Sequence, residues 1–65
     1  MDRIERYVYI NDLGRRKSLT VNWDKQEEDK YFCLLHDLIT GEECGSTYKT
    51  KAGIVNFLAY YGVKI

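Results

Sequence analysis

The sequence predicts an α+β domain in which four antiparallel strands, arranged as two hairpins, form one sheet and a single C-terminal helix packs on one face of it, in the order ββββα. Two observations predict this fold. A helical period of apolar residues is confined to residues 50–62, and strand-like alternation or short apolar runs, separated by turn residues, fill the chain before it. The 65 residues contain no Pro and no linker-like stretch, and such a chain has space for one small core. We therefore expect one domain over residues 1–65.

The first hairpin is predicted from residues 4–10 and 18–23. The first segment has tyrosines at odd positions and aliphatic residues at even ones, whereas the second has its apolar residues at odd positions only. A hairpin loop of two or four residues would place the aliphatic residues of the first strand on the same face as the apolar residues of the second. We expect that face to form half of the core, with Ile4, Val8, Ile10, Leu19, Val21 and Trp23.

The second hairpin is predicted around Thr40 and Gly41. Residues 24–30 are polar and acidic and are expected to form a loop or a short helical turn. Residues 31–38 form an apolar run that is typical of a strand buried on both faces, at the centre of a sheet. Gly41 would supply a positive φ in a three-residue loop. With Thr40 at the apex, the predicted cross-strand pairs are Phe32 with Tyr48, Leu34 with Ser46, and His36 with Cys44.

The helix is predicted over about residues 51–61. Thr50 is a suitable N-cap residue and Gly62 a suitable left-handed C-cap residue. The spacing i, i+3, i+4, i+7 puts one apolar stripe on the helix. That stripe consists of Ile54, Phe57, Leu58 and Tyr61.

The two cysteines and the single histidine do not form a reactive constellation under this pairing. Cys33 and Cys44 would point to opposite faces or lie about 13 Å apart at roughly 3.3 Å per residue, whereas a disulfide tolerates only about 7 Å between Cα atoms. We expect free thiols, as in a reducing cytoplasm. Cys33 and His36 would point to opposite faces, which disfavours a shared metal, and His36 beside Cys44 has no third residue to orient it as a base. The sequence predicts no metal, no cofactor and no enzymatic activity.

Charge is balanced overall but uneven along the chain. Ten basic and ten acidic residues give a net charge of zero, which disfavours a protein whose main role is to bind phosphates. Residues 1–23 carry a net +2, residues 24–43 a net −5 and residues 44–65 a net +3, so we expect a polarised surface. The chain has no apolar run near the length of a signal core or a membrane span. We expect a cytoplasmic protein, and its small size without an enzyme signature suits a phage or mobile-element accessory protein.

One helix covers only one face of a four-stranded sheet, so apolar residues of the opposite parity should lie uncovered. Monomers seldom expose such a patch without using it, and tyrosines are frequent at interfaces because they join a large ring to a polar tip. The alternative is that residues 24–30 or 63–65 cover this face. The predicted partner-binding residues are Tyr7, Tyr9, Tyr31 and Leu35.

The predicted function is a small non-catalytic binding module, an adaptor or an inhibitor, that associates with another protein or with a second copy of itself. The acidic segment offers a possible further contact through Asp24, Glu27, Glu28 and Asp29. The alternative is a nucleic-acid-binding accessory protein in which sheet aromatics stack on bases and basic side chains contact the backbone. The basic residues for that function are Arg6, Arg15, Arg16, Lys17, Lys49 and Lys51, with residues 15–17 at the first hairpin tip. An enzyme is the third and least favoured class.

Overall fold

The computed structural model describes residues 3–65 and contains one four-stranded antiparallel sheet followed by one helix. The strands lie side by side in chain order, so that β2 and β3 are central and β1 and β4 are the two edges. The predicted ββββα order is confirmed, as is the central position of the third strand. The elements are β1 (Ile4–Ile10), β2 (Arg16–Glu27), β3 (Lys30–Asp37), β4 (Glu43–Thr50) and α1 (Lys51–Tyr60).

The loop between β1 and β2 decides which residues face the helix. The Asn11 N–H donates to the carbonyl oxygen of Arg15 at 2.9 Å, which closes a loop of three residues, 12–14, and Gly14 has the positive φ (75°) that such a loop requires. The Asn11 side-chain oxygen accepts hydrogen bonds from the N–H groups of Leu13 and Arg15, at 3.0 and 2.9 Å. An odd-membered loop pairs residues of equal parity, so Tyr7 lies opposite Leu19.

The predicted loop of two or four residues is therefore wrong, and with it the face assigned to β1. Leu19, Val21 and Trp23 face the helix as expected, but the aliphatic residues of β1 face away from it. A change of one residue in strand register moves every side chain to the other face. The residues of the expected core face that lie on the opposite side are Ile4, Val8 and Ile10.

We call the face covered by α1 the inner face and the opposite one the outer face. The inner face contributes the buried core, which consists of Tyr9, Leu19, Val21 and Cys33 together with Ile54 and Leu58 of α1. The outer face is formed by the even-numbered residues of the paired strand segments. They are Ile4, Arg6, Val8 and Ile10 of β1, Arg16, Ser18, Thr20 and Asn22 of β2, Phe32, Leu34 and His36 of β3, and Ser46 and Tyr48 of β4.

The connection between β2 and β3 is shorter than predicted. β2 extends to Glu27, and the turn consists of Glu28 and Asp29 alone. The expectation of a loop over residues 24–30 is wrong because cross-strand pairing continues beyond the polar segment, after a bulge between Asn22 and Gln26. Both turn residues have positive φ, 49° and 67°, as the type I′ hairpin turn requires.

The connection between β3 and β4 agrees with the prediction in part. The Asp37 N–H donates to Glu42 O at 2.9 Å, which closes a loop of four residues, 38–41, and not the predicted three. Gly41 has a positive φ of 78°, and the two pairs centred on Phe32 and Leu34 form as expected. His36 lies opposite Glu43 and not Cys44. The one-residue shift arises from a bulge between the Leu35 and His36 pairs, which adds a residue to β4 without a partner.

Both ends of α1 are capped by the predicted residues. The Thr50 hydroxyl accepts a hydrogen bond from the Gly53 N–H at 3.0 Å. Gly62 has a φ of 81° and donates to Ala59 O at 3.0 Å, while Val63 donates to Leu58 O at 2.8 Å. This pair of bonds is the Schellman motif. The helix ends at Tyr60, one residue earlier than expected.

Candidate functional site

The predicted tyrosine surface lies on the inner face, against α1 and the core. Tyr9 is only 7% exposed, makes an edge-to-face contact with Phe57 at 5.3 Å between ring centroids and stacks on Tyr61 at 4.7 Å. Burial and the nearby Tyr61 raise the pKa of the Tyr9 hydroxyl. Tyr7, Tyr31 and Leu35 are half-buried and pack against the same core. The prediction of an uncovered face built from Tyr7, Tyr9, Tyr31 and Leu35 is therefore wrong. The three-residue loop turns the odd residues of β1 towards α1, and the pairing of Leu19 with Leu35 places the odd residues of β3 on the same face.

The uncovered apolar surface is the outer face, with the other parity of residues. On β1, Ile4, Val8 and Ile10 are 56%, 48% and 59% exposed. Across β3 and β4 the same face carries the half-buried Phe32, Leu34, His36 and Tyr48. Within residues 3–65, α1 and Val63 both pack against the inner face. The outer face thus presents aliphatic side chains at one edge and aromatic rings at the other.

The aromatic end of the outer face is surrounded by charged side chains. Phe32 and Tyr48 form an edge-to-face pair at 5.4 Å between centroids, and the Lys25 ammonium lies 4.4 Å from the Phe32 ring centroid. Such a cation over a ring is attracted by its quadrupole. A shallow depression of about 190 Å³ beside Tyr48 is lined by Glu27, Glu28 and Lys30. Cationic and anionic groups therefore both border the two rings.

The basic residues predicted for nucleic-acid binding do not share one surface. Arg6 and Arg16 lie on the outer face, whereas Lys17 points to the inner side, where it contacts Asp37. The Lys49 ammonium lies 5.1 Å from the ring centroid of Phe57, against the helix. Lys51 lines a cleft on the inner side. Arg15, like Lys17, is bound to Asp37.

Asp37 connects the first hairpin with the β3–β4 loop. One carboxylate oxygen accepts from Arg15 Nη2 at 2.7 Å, from Arg15 Nε at 2.9 Å and from Lys17 Nζ at 3.2 Å. The other accepts from the N–H groups of Ile39 and Thr40 at 2.8 and 3.2 Å. Arg15 above all, with the loop N–H groups and Lys17, holds the pKa of Asp37 far below its ordinary value. Two residues of the predicted basic tip, Arg15 and Lys17, are thus held by ion pairs to a buried carboxylate.

A cleft of about 410 Å³ opens on the inner side near the start of β1. It lies where α1 leaves a corner of the sheet uncovered, and Trp23 forms part of its wall. The Trp23 Nε1 is buried and has no hydrogen-bond partner among residues 3–65, and the Arg3 guanidinium lies 5.6 Å from its ring centroid. The lining residues are Arg3, Glu5, Tyr7, Trp23, Lys51, Val55, Lys64 and Ile65.

The acidic residues predicted as a contact segment are spread over the end of the β2–β3 hairpin. The Asp24 carboxylate accepts a hydrogen bond from the Arg3 N–H, next to β1. Glu28 and Asp29 form the turn, and Glu27 lies beside Tyr48. All four side chains belong to exposed residues. They form a solvated hairpin end and reach the outer face only through Glu27 and Glu28.

Both cysteines are free, as predicted, with Cys33 buried and Cys44 exposed. Among the residues that the structure describes, no three His, Cys, Asp or Glu side chains cluster as metal ligands would, and no helix is long and apolar enough to cross a membrane. No protein-family model, no curated protein and no solved structure matches this chain.

Sequence reasoning missed the β1 residues of the outer face because it assumed an even-membered first loop. A usable signal was present in the sequence. Asn11 followed by Gly14 three positions later fits a type I turn with a left-handed residue at its end, which is the common three-residue hairpin loop. That loop length would have placed Val8 on the outer face and Tyr9 in the core.

Proposed function

We propose that this protein is a non-catalytic binding module that associates with another protein through its outer face. The main observation behind this proposal is that Ile4, Val8 and Ile10 are each about half exposed. They share a sheet face with Leu34 and the Phe32–Tyr48 pair. Exposed aliphatic side chains that share one face of a small domain favour an interaction site there. A module that binds its partner through such a surface acts as an adaptor or an inhibitor.

The size of the face fits this proposal. The protein measures 32 × 22 × 17 Å, and a face that spans the two longer dimensions has roughly the 800 Å² per partner that specific interfaces bury. The charges suggest the chemistry of the partner. Arg6 and Arg16 are the cations at the β1 side of the outer face, whereas the aromatic end carries Lys25 together with the carboxylates of Glu27 and Glu28. The partner should therefore present an apolar centre, with carboxylates at the part of its rim that meets Arg6 and Arg16.

Nucleic acid fits the same face less well. Bases would stack on Phe32 and Tyr48, but the Lys25 ammonium lies over the Phe32 ring and two carboxylates, those of Glu27 and Glu28, stand beside Tyr48. The nearby carboxylates repel phosphates. Protein therefore remains the favoured partner class. Separately, the two free thiols support a reducing compartment such as the cytoplasm.

The test compares two double variants of the immobilised protein. V8T/L34T removes two apolar side chains from the outer face and keeps every backbone N–H. L13T/I39T is the matched control, because Leu13 and Ile39 are apolar residues 84% and 67% exposed in the two loops. We expect a protein from the producing cells to be retained by the parent and by L13T/I39T and lost with V8T/L34T. In a C44S background, which removes the exposed native thiol, a benzophenone attached to T20C on the outer face should cross-link that protein.

Three results would contradict the proposal. Retention by both double variants, or loss with both, would show that the outer face is not the contact. Failure of the T20C probe to cross-link the retained protein would show the same. Tight binding of labelled oligonucleotides that weakens steeply with salt and is lost in V8T/L34T would assign the face to nucleic acid. Circular dichroism must first show that both variants are folded.

A further inference from the structure

The edge strand β1 presents a regular row of free backbone groups. The Trp23 N–H donates to Arg3 O and the Asn11 N–H donates to Arg15 O, both at 2.9 Å, so the odd residues of β1 direct their N–H and C=O groups towards β2. In an antiparallel ladder the alternate residues point the other way. Since β2 is the neighbour of β1 in the sheet, the even residues Ile4, Arg6 and Val8, with Ile10, direct their backbone groups out of the sheet.

The two edges of the sheet differ in their suitability for pairing. β1 has no bulge within its paired residues and is mostly apolar or aromatic, a combination that invites another strand. β4 is interrupted by the bulge between the Leu35 and His36 pairs and contains Gly45 with a φ of 152°. Bulges are one of the devices that protect an edge. Pairing between β1 of one copy and β4 of another is therefore disfavoured, and with it an open chain of subunits.

The residue pattern of β1 is complementary to itself in one register. We infer that two copies of this chain pair their β1 strands antiparallel about a two-fold axis at Tyr7, which joins the two sheets into one of eight strands. This register places Arg6 opposite Val8 and Ile4 opposite Ile10. All four outward-facing residues then lie in hydrogen-bonded pairs. Such an isologous contact closes on itself and stops at the dimer.

The neighbouring strand registers would pair fewer of the outward-facing residues of β1. A two-fold axis at Arg6 places the two guanidinium groups opposite each other, which is destabilising, and leaves Ile10 outside the pairing of the described residues. An axis at Val8 leaves Ile4 unpaired. The Tyr7-centred register avoids both losses. It uses backbone groups at the edge and leaves the side chains of the outer face free, so it does not depend on the docking of another protein there.

Disulfide trapping distinguishes the registers. In a C44S background, R6C and V8C place thiols on exposed outer-face positions. In the proposed dimer a residue 6 of one copy lies opposite residue 8 of the other, at about 5.5 Å between Cα atoms, within the range that a disulfide bridges. Identical positions lie diagonally, at about 7 to 8 Å. We expect a covalent dimer when R6C and V8C chains are mixed and oxidised, and little from either variant alone.

Sedimentation equilibrium supplies the second measurement. The parent and V8A should have the mass of a dimer. V8P should be a folded monomer, because its missing N–H points away from β2 and serves only the dimer. Cross-linking of R6C or of V8C with itself, a dimeric V8P, or a monomeric parent would each overturn the proposal. A monomeric parent that still retains a partner through the outer face would overturn the dimer and leave the proposed function standing.

Discussion

At the scale of single residues, Asp37 accepts more hydrogen bonds than any other side chain of residues 3–65. Its carboxylate is 8% exposed and accepts from Arg15 and Lys17 of the first hairpin and from the backbone of the β3–β4 loop. A buried carboxylate is stable only when its oxygens are paired in this way. Asp37 therefore joins two loops that lie far apart in sequence.

Asp37→Asn should lower the melting temperature at neutral pH, because the amide loses both ion pairs. The pH dependence follows from the lowered pKa of Asp37 in the folded state. Its stabilising effect is complete above the ordinary carboxyl pKa of about 4 and is lost as the pH falls below that value. Thermal unfolding from pH 2 to 7 should show a smaller acid-induced decrease for D37N than for the parent. The exposed Asp12→Asn is the control, and an equal decrease in D37N would contradict the assignment.

At the scale of elements, the turn between β2 and β3 is the feature that the sequence pattern predicts least well. Glu28 and Asp29 both adopt positive φ. Asp tolerates this region, whereas a residue such as Glu28 seldom occupies it. The turn forms because pairing on both sides of the bulge brings β2 and β3 together. Local preference is here overridden by the strands that the turn connects.

Replacing Glu28-Asp29 with Asn-Gly should stabilise the protein. These two residues are the preferred pair in a type I′ turn, and relief of unfavourable left-handed backbone contributes about 1 kcal/mol. The control E28Q/D29Q removes the same charges without introducing glycine. Urea unfolding should give a higher midpoint for E28N/D29G than for the control. Equal midpoints would show that charge, and not backbone conformation, limits the stability of this turn.

The helix is the element that the sequence predicts best. Its stripe of Ile54, Leu58 and two aromatic residues, and its caps at Thr50 and Gly62, are local features whose effects do not depend on distant residues. The strand positions are predicted nearly as well. The end of β2 is not, because Asp24 to Glu27 are polar, and only pairing with β3 keeps them extended.

At the scale of the whole molecule, the assignment of β1 residues to the two faces is the decisive feature. Tyr9→Ala should be strongly destabilising, since it removes a ring that contacts Phe57 and Tyr61, and truncation of a buried aromatic residue costs about 3 to 5 kcal/mol. A domain of this size has about that much stability in total. We expect Y9A to be largely unfolded by circular dichroism.

Val8→Ala is the matched control, since Val8 is the chain neighbour of Tyr9 and lies on the outer face. It should change the free energy of unfolding by about 0.5 kcal/mol or less, as is usual for surface substitutions. If Y9A remained as stable as V8A in urea unfolding, the inner face would have been assigned incorrectly. The comparison therefore tests the parity of β1 with two adjacent substitutions.

The candidate site was predictable in kind but not in its residues. Balanced composition, one helix and four strands already imply a sheet with one uncovered face. Which aliphatic or aromatic residues occupy that face depends on whether the first loop has an odd or an even number of residues, and both parities of β1 are apolar. Hydrophobicity alone could not choose between Val8 and Tyr9.

The sequence by itself determined the order of the elements, the helix with its caps, and the Phe32–Tyr48 and Leu34–Ser46 pairs, because these follow from local periodicity and turn chemistry. Tertiary structure alone decided that Tyr9 stacks beneath α1, that β2 continues through its acidic end, and that Asp37 joins the two loops. Those outcomes depend on contacts between residues far apart in the chain, where the packing of aromatic rings against the helix and the pairing of buried charges select one register over its neighbour.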